Sequence, residues 1–310
     1  MLTGEDIMAK KFGVNERRIM SYFPLGTTFL YKDSQYQVVT KACKPLSQTG
    51  ECKTDIYFRA QNVNTLEQTE FKISYKQANA EFLENKTSAE RAEFLLGPNW
   101  QELITQAVLS IKDKFEDKHL IYKDQKWPTR KGSITLGWRF ELLNVLSGNL
   151  SGEINLSKEQ KIDVYAGTSL PNEKKNASIE GVVINKSGIA NFVYEDNGAT
   201  DAQGVIDGLR TIEEYLGMNP GIYFACKALN YRTIERKIEG DRPLAVHVRW
   251  FVNGENKLDY ELVYNVPLLT KGNSVRDNLK TVLGNLGVQT TDDLDASNVQ
   301  DISIIYTKEG

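Results

Sequence analysis

Residues 50–77, GECKTDIYFRAQNVNTLEQTEFKISYKQ, form the stretch that decides the fold of this chain. The pattern predicts two strands joined by a polar connection over residues 62–68, NVNTLEQ. Because side chains alternate between the two faces of a strand, Phe71, Ile73 and Tyr75 are expected to face the core. The opposite face then carries the polar residues of the second strand, Glu70, Lys72, Ser74 and Lys76. The stretch therefore predicts a hairpin with one apolar face and one charged face.

The charged face carries groups that suit metal-assisted hydrolysis of phosphodiesters. If the strands pair, Asp55 on the first can meet Glu70 and Lys72 on the second at one end of the hairpin. Two carboxylates can hold Mg²⁺, a hard cation that prefers oxygen ligands and keeps several of its waters. The ion acidifies a water and stabilises phosphate charge, while the lysine orients that water or helps to deprotonate it. The alternative is a solvated hairpin without a catalytic role.

The order Asp55 followed by Glu70-x-Lys72 resembles the PD-(D/E)XK nuclease superfamily and, within it, the type II restriction endonucleases. By this resemblance Asp55 and Glu70 hold Mg²⁺ with help from the backbone carbonyl of Phe71, and Lys72 positions the water. Thr54 replaces the proline of the family motif, at a position that is often degenerate. The resemblance implies an α/β fold, a nuclease core with a mixed sheet flanked by helices, plus a second mixed, strand-rich domain.

Length and composition fit a globular protein that can bury a sizeable core. The 310 residues are 40% hydrophobic and 25% charged, and the net charge of −3 does not by itself indicate nucleic-acid binding. A basic cleft can nevertheless coexist with an acidic surface. No apolar run approaches the roughly 20 residues that cross a bilayer, so no membrane partner is expected. Three cysteines and two histidines without zinc-ligand spacing fit a reducing cytoplasm and argue against a zinc hydrolase.

Residues 4–22 are predicted to be helical, with a spacing that permits a helix-turn-helix. In such a motif Ala9 allows close helix contact, Gly13 makes the turn and Ile19 packs the second helix. The outer face of that second helix carries two candidate phosphate contacts, Arg17 and Arg18. The alternative is an amphipathic helix, or a helical pair, that packs on the nuclease core.

Three domains are expected along the chain. Residues 1–22 form the helical segment, in which Glu5 or Glu16 can add a further acidic residue to the metal site. Residues 23–125 form the catalytic core, and residues 126–310 form a domain for target recognition and dimerisation.

Other elements are predicted from periodicity and end signals. They are a hairpin turned at residues 32–34, a loop at 41–50, a helix from a capping box at Thr87 to Gly97, a helix from Asn99, a strand at 161–167, a helix at 200–217, a hairpin at 243–267, a helix at 274–286 and a strand at 301–307.

DNA contacts are expected from basic and amide side chains, since Arg and Lys neutralise phosphates and pair with guanine, and Asn pairs with adenine. The lysine-rich segment 112–132, with Tyr122 and Trp127 interleaved, suits the phosphate backbone; its alternative is a solvated helix end with a linker. The candidates are Arg17, Arg18, Lys76, Gln77, Arg130, Lys131, Lys174, Lys175, Asn176, Arg232, His247 and Arg249.

The resemblance implies an Mg²⁺-dependent, sequence-specific endonuclease that cuts double-stranded DNA as a homodimer, with one active site for each strand. Two alternatives stay open. The first is a nuclease of the same core that acts on DNA structure or modification. The second is a DNA-binding regulator without catalytic activity, whose binding needs neither Mg²⁺ nor Lys72.

Overall fold

The computed structural model describes residues 13–78, 82–84 and 87–308 of the chain. Contacts divide the chain into two compact units, each formed by two separate stretches. The first unit comprises Met1–Ala80 and Leu156–Pro220, and the second comprises Glu81–Asn155 and Gly221–Gly310. The boundary predicted after residue 125 therefore lies inside the second unit.

The first unit is built on a six-stranded mixed sheet. Elements are numbered along the whole chain, so the numbering is interrupted within a unit. Side by side, the strands are β1 (Thr28–Tyr31), β2 (Ser34–Cys43), β3 (Ile56–Asn62), β4 (Gln68–Lys76), β11 (Phe192–Glu195) and β12 (Leu209–Thr211). Neighbouring strands are antiparallel except β4 and β11, which run parallel. Helices combined with mixed sheets confirm the expected α/β class.

The β1–β2 hairpin has the turn that the sequence predicts. Lys32 and Asp33 connect the strands, with positive φ angles of 49° and 58°. A two-residue turn in which both residues have positive φ has a backbone twist that matches the right-handed twist of the flanking strands. The second strand continues to Cys43, so the predicted loop at 41–50 begins as strand.

One face of β3 and β4 is buried, as the alternation of apolar residues predicts. Phe71 stacks on Phe58 with ring centroids 4.8 Å apart, and on Phe192 of β11 at 5.5 Å. Ile19 and Phe23, from the N-terminal part of the described chain, pack into the same core. Burying aromatic side chains of this size is the main source of stability for this unit.

The remaining elements of the first unit are helices and one small sheet. They are α1, whose described part covers residues 13–20, α5 (Lys158–Ala166), α6 (Asn172–Lys175), α7 (Ala202–Gly208), α8 (Ile212–Met218), and the strands β9 (Ser178–Ile179) and β10 (Val182–Val183).

Three of these elements differ from the sequence predictions. Gly13 is helical and makes no turn, and Ala9 lies outside the described residues. The strand predicted at 161–167 is helix α5, which Ser157 opens with a capping box and Gly167 closes in the left-handed conformation. The helix predicted at 200–217 is interrupted by β12, which pairs with β11.

The second unit is built on a nine-stranded sheet with β7 at its centre. Its strands are β5 (Phe82–Glu84), β6 (Ile121–Tyr122), β7 (Ser133–Leu143), β8 (Ser151–Glu153), β13 (Tyr223–Arg232), β14 (Lys237–Ile238), β16 (Val246–Val252), β17 (Leu258–Val263) and β19 (Ile305–Tyr306). The main order is β14–β13–β7–β16–β17, and β5 and β6 also pair with β7. The sheet is mixed because β6 and β19 run parallel. A separate pair consists of β15 (Pro243–Leu244) and β18 (Thr270–Lys271).

The helices of the second unit follow most of the predicted end signals. They are α2 (Ala89–Leu96), α3 (Trp100–Leu109), α4 (Lys112–Glu116), α9 (Gly272–Asn285) and two 3₁₀ turns, Thr291–Asp293 and Ile302–Ile304. The cap of α2 is Ser88, which accepts from the amide of Arg91, rather than Thr87 as predicted. The strand predicted at 301–307 begins as the second 3₁₀ turn. The hairpin predicted at 243–267 is confirmed over β16 and β17, whereas Pro243–Leu244 pairs with β18. Within the described ranges, every helix is too short or too polar to cross a bilayer.

Candidate active site

Glu70 and Lys72 lie two residues apart on β4 and share one face of the strand, as the sequence predicts. The Nζ of Lys72 lies 3.5 Å from Oε2 of Glu70. Register places Glu70 opposite Arg59 and Lys72 opposite Tyr57. The Tyr57 hydroxyl donates to Oε1 of Glu70 at 2.6 Å. Burial and this hydrogen bond raise the pKa of Tyr57, so its hydroxyl stays protonated and keeps donating.

Both residues are also held by a neighbouring loop of the first unit. The Nζ of Lys72 donates to the carbonyl of Lys186 at 3.3 Å. The Asn191 side chain accepts from the amide of Lys72 at 2.8 Å and donates to the carbonyl of Glu70 at 2.9 Å. The Glu70–Lys72 pair is therefore part of the hydrogen bonding that fixes β4 against residues 186–191.

The carbonyl of Phe71 does not suit the predicted role of a metal ligand. The carbonyls of Glu70 and Lys72 accept from Asn191, on the β11 side of β4. Carbonyls alternate in direction along a strand, so that of Phe71 points to β3, where its register partner is Phe58. This group is directed into the sheet.

Asp55 lies away from Glu70. Its amide donates to the carbonyl of Ile73 at 2.9 Å, and its Oδ2 accepts from the amide of Tyr75 at 2.8 Å. Asp55 precedes Arg59, the partner of Glu70, by four residues, which is roughly 13 Å at about 3.3 Å per residue. The two carboxylates also have different partners, since Asp55 accepts from the amide of Tyr75 whereas Glu70 accepts from Tyr57 and lies beside Lys72. The predicted grouping of Asp55 with Glu70 and Lys72 is not formed.

Asp55 has a different set of charged neighbours, which we call the Asp55 cluster: Glu16, Lys44, Asp55 and Lys76. Glu16, on α1, is only 8% exposed, and its Oε2 accepts from Nζ of Lys44 at 2.9 Å. Burial is the largest cause that raises the pKa of Asp55, to about 6, and the like charge of Glu16 adds to it. The charges of Lys76 and Lys44 and the hydrogen bond from Tyr75 oppose this rise. Two carboxylates and two lysines thus act on one another at the carboxyl end of β4.

Lys44 remains charged within this cluster. Burial alone lowers the pKa of Lys44, but the hydrogen bond and charge of Glu16, together with Asp55 and Glu51, raise it overall. The thiol of Cys52 stays protonated, because burial, followed by the charge of Asp55, raises its pKa to about 11. The cluster therefore offers carboxylate oxygens and ammonium groups, and no thiolate.

The donor set fits Mg²⁺ better than zinc. Among residues 13–78, 82–84 and 87–308 there is no group of three or more His, Cys, Asp and Glu side chains that could hold a metal ion. Mg²⁺ is commonly bound through one or two carboxylates, with waters and substrate phosphate filling its other positions. Asp55 and Glu16 supply that number of carboxylates.

Several predicted DNA contacts are engaged within the protein. Arg18 donates to both carboxylate oxygens of Asp196, at 2.7 and 2.9 Å, and to the carbonyl of Ala199 at 2.7 Å. Arg232 is paired with Glu235 at 2.8 Å and with Glu239. These arginines stabilise the fold instead of lying free for phosphates.

The other predicted contacts are distributed over both units. Arg17 is exposed on α1, Lys174 and Lys175 lie on α6, and Asn176 accepts from the amide of Lys186. The Nε2 of Gln77 is buried without a hydrogen-bond partner among the described residues. Burial, then Arg249, lowers the pKa of His247, which is partly buried on β16. Three exposed side chains have acidic neighbours, Arg130 with Glu235, Lys131 with Asp292 and Arg249 with Glu261.

Lys44 was not among the predicted site residues, and Lys76 was predicted only to contact DNA. The signal that could have found Lys76 is the length of the β3–β4 connection; none in the sequence places Lys44, which follows β2, beside Glu16. Gln61 pairs with Gln68, and counting back along β3 from this pair sets Asp55 level with Ser74, two residues from Lys76. Glu16 was expected only as an optional addition to the metal site.

Comparison with protein-family models, with curated proteins and with solved structures found no significant match for this chain.

Proposed function

We propose that the chain is an Mg²⁺-dependent, sequence-specific DNA endonuclease resembling the type II restriction enzymes, and that its catalytic centre is the Asp55 cluster. The observation that carries the proposal is the 2.9 Å contact of Lys44 with Glu16, together with the charges of Glu16, Lys44 and Lys76 that act on Asp55 at the carboxyl end of β4. A partly buried carboxylate with a raised pKa and specific charged neighbours, such as Asp55, is typical of functional sites. Of the residues that carry the PD-(D/E)XK resemblance, the proposal keeps Asp55. Glu16 takes the ligand role first assigned to Glu70, and Lys76 takes the role first assigned to Lys72.

Asp55 and Glu16 would hold the ion. When bound, Mg²⁺ supplies Lewis-acid stabilisation of phosphate charge and acidifies a water for attack. Glu16 is buried and Asp55 is partly buried, and the attraction of a carboxylate for a cation is stronger in such surroundings than in bulk water. Lys44 donates to Glu16 and fixes its orientation toward the cluster.

Lys76 positions the attacking water and helps to deprotonate it. The water oxygen forms a bond to phosphorus, the phosphorus–oxygen bond to the leaving nucleoside breaks, and the leaving oxygen takes up a proton. The charges of Lys76 and Asp55 attract each other. Two copies of the chain, one for each strand, would cut a duplex at a site with two-fold symmetry.

The experiment is digestion of a panel of plasmid and phage DNAs by the full chain with Mg²⁺, and with EDTA as a control. We expect discrete fragments with Mg²⁺ and none with EDTA. Asp55→Asn and Glu16→Gln should each abolish cutting, whereas Glu70→Gln should retain it. Circular dichroism and thermal unfolding establish that each variant is folded.

The other outcomes separate the remaining functions. Nicking or a smear that depends on Mg²⁺ and Asp55 would indicate a structure-directed nuclease with the same centre. Metal-independent DNA binding without cutting of modified or unmodified DNA would indicate the regulator. Cutting that persists in Asp55→Asn but is lost in Glu70→Gln would contradict the assignment of the Asp55 cluster.

A further inference from the structure

Trp127 is the most exposed large apolar side chain in the described part of the chain. Its side chain is 86% exposed, whereas the other three tryptophans, Trp100, Trp138 and Trp250, are at most 6% exposed. Tryptophan usually buries most of its surface, and exposed aromatic residues are enriched where a protein contacts a partner. An indole in water at a loop tip therefore requires an explanation.

The turn that carries Trp127 is well defined. Lys126 and Thr129 exchange two backbone hydrogen bonds, of 3.1 and 2.7 Å, across the turn. The Nζ of Lys126 lies over the ring of Tyr306, 4.7 Å from its centroid. Tyr306 belongs to β19, which pairs with β6, so the base of the turn is tied to the sheet. The indole is presented from a fixed support.

Two cationic side chains follow Trp127 three and four residues later along the chain. Arg130 is 62% exposed and lies 3.8 Å from Glu235, and Lys131 is 51% exposed and lies 3.7 Å from Asp292. These separations exceed hydrogen-bond length, and exposed ion pairs of this kind contribute little to stability. Phosphates can therefore replace the two carboxylates as partners of Arg130 and Lys131.

We propose that the turn of residues 126–131, the Trp127 turn, is a DNA-contacting element in which the indole stacks on a nucleobase and Arg130 and Lys131 bind flanking phosphates. Aromatic stacking on bases, combined with cations that follow the backbone, is a general mode of nucleic-acid binding that tolerates any sequence. Stacking of this kind requires a base that is partly unstacked, so the turn would engage DNA at a distorted step. The inference rests on the proposed function, because it takes DNA to be the substrate.

The charge of the turn favours DNA over a protein partner. Its exposed side chains are one indole and several cations. A partner that stacks on the indole and also neutralises the cations needs a planar ring close to negative charge. A nucleotide has both groups a few ångströms apart. An apolar protein surface would leave Arg130 and Lys131 without new partners.

The test uses tryptophan fluorescence, because Trp127 is the only one of the four tryptophans that a solvent quencher can readily reach. The full chain is titrated with a short double-stranded oligonucleotide that carries one unpaired base, at low salt and with Ca²⁺ in place of Mg²⁺ to limit cutting. We expect DNA to quench the exposed emission and to protect it from acrylamide. Trp127→Phe should lose this response but bind DNA within a few-fold of the wild type.

Affinity measurements complete the test. Trp127→Ala should weaken DNA binding about tenfold or more. In a plot of the logarithm of the DNA-binding constant against the logarithm of the salt concentration, Arg130→Ala and Lys131→Ala should each make the slope shallower by about one unit, because each variant loses one phosphate contact. Because all three side chains are exposed, the variants should unfold at the temperature of the wild type.

The outcomes distinguish this inference from the proposed function. DNA binding with unchanged acrylamide access to Trp127 would overturn the inference and leave the nuclease intact. Absence of DNA binding at any salt concentration would overturn both. Protection of Trp127 that grows with protein concentration, and not with added DNA, would assign the turn to a contact between copies.

Discussion

The backbone amide of Tyr75 donates a 2.8 Å hydrogen bond to the carboxylate of Asp55, and this contact fixes Asp55 at the carboxyl end of β4. Tyr75 also connects to α1. Its hydroxyl donates to Asp196 at 2.5 Å, and Asp196 in turn accepts from Arg18 of α1. Helix α1 carries Glu16, the second carboxylate of the cluster. One residue of β4 thus links both acidic groups of the proposed site.

The two lysines of β4 should differ in their effect on catalysis. Lys76→Met should lower the cleavage rate about 100-fold or more, since a positioned proton-transfer group commonly contributes that much. Lys72→Met should lower it less than about tenfold, because Lys72 is held by Glu70 and Lys186. Single-turnover cleavage of one plasmid measures both. A larger loss in Lys72→Met would return the catalytic role to the Glu70–Lys72 pair.

Mg²⁺ binding should weaken in acid. Asp55 has a pKa of about 6, so it is mostly protonated at pH 5 and ionised at pH 7. Protons compete with the cation for this carboxylate, and apparent Mg²⁺ affinity should be about tenfold lower at pH 5 than at pH 7. Titration of the cleavage rate with Mg²⁺ at each pH gives the affinity. An affinity that is constant over this range would exclude Asp55 as a ligand.

Asp55 should also destabilise the folded protein at neutral pH. Its pKa rises from 3.8 to about 6 on folding, so the folded state binds more protons between these values. Below pH 3.8 Asp55 is protonated in both states and does not lower the free energy of unfolding. As the pH rises through 6 the folded protein loses stability, because Asp55 must ionise in its partly buried position. The loss is about 2–3 kcal/mol, at about 1.4 kcal/mol per pKa unit.

Asp55→Asn tests this effect, because its side-chain oxygen can still accept from Tyr75. The variant should unfold at a temperature higher by about 5 °C at pH 8, with a smaller difference at pH 4.5. Asp33→Asn, at an exposed turn, serves as the control and should leave the unfolding temperature unchanged. A lower unfolding temperature for Asp55→Asn at pH 8 would show that the ionised group stabilises the fold.

The adjacent arginines of α1 should have unequal effects on stability. Arg18→Ala removes two bonds to Asp196 and one to Ala199, and leaves Asp196 without its cation, so we expect a loss of about 2–3 kcal/mol. Arg17→Ala, at an exposed position, should change stability by less than about 0.5 kcal/mol. Thermal unfolding compares them. Equal effects would mean that the Arg18–Asp196 contact does not hold α1.

Local signals predicted many of the elements. The apolar alternation through Phe71, Ile73 and Tyr75 correctly gave β4 its buried face, and the turn at Lys32 and Asp33 is as expected. The strand predicted at 161–167 was wrong although its end signals were in the sequence. Ser157 with Gln160, and Gly167 after the last turn, form the caps of α5, and weighing them above the apolar alternation would have predicted the helix.

The candidate site was predicted only in part, because spacing along a strand does not say which residues meet across it. Asp55 was identified from its place at the start of a strand. Its grouping with Glu70 assumed a register that the β3–β4 connection does not permit, and the pairing instead sets Asp55 level with Ser74.

The sequence by itself determined that this is an α/β protein with strands about Asp55 and Lys72, because alternation and turn chemistry act over a few residues. Only the tertiary structure decided which charges share one site. The charge of Glu16 acts on Asp55 because the core packs α1 against the sheet, and Arg18 binds Asp196, which is 178 residues away along the chain. Contacts between distant segments depend on how whole elements pack, and no local pattern encodes that.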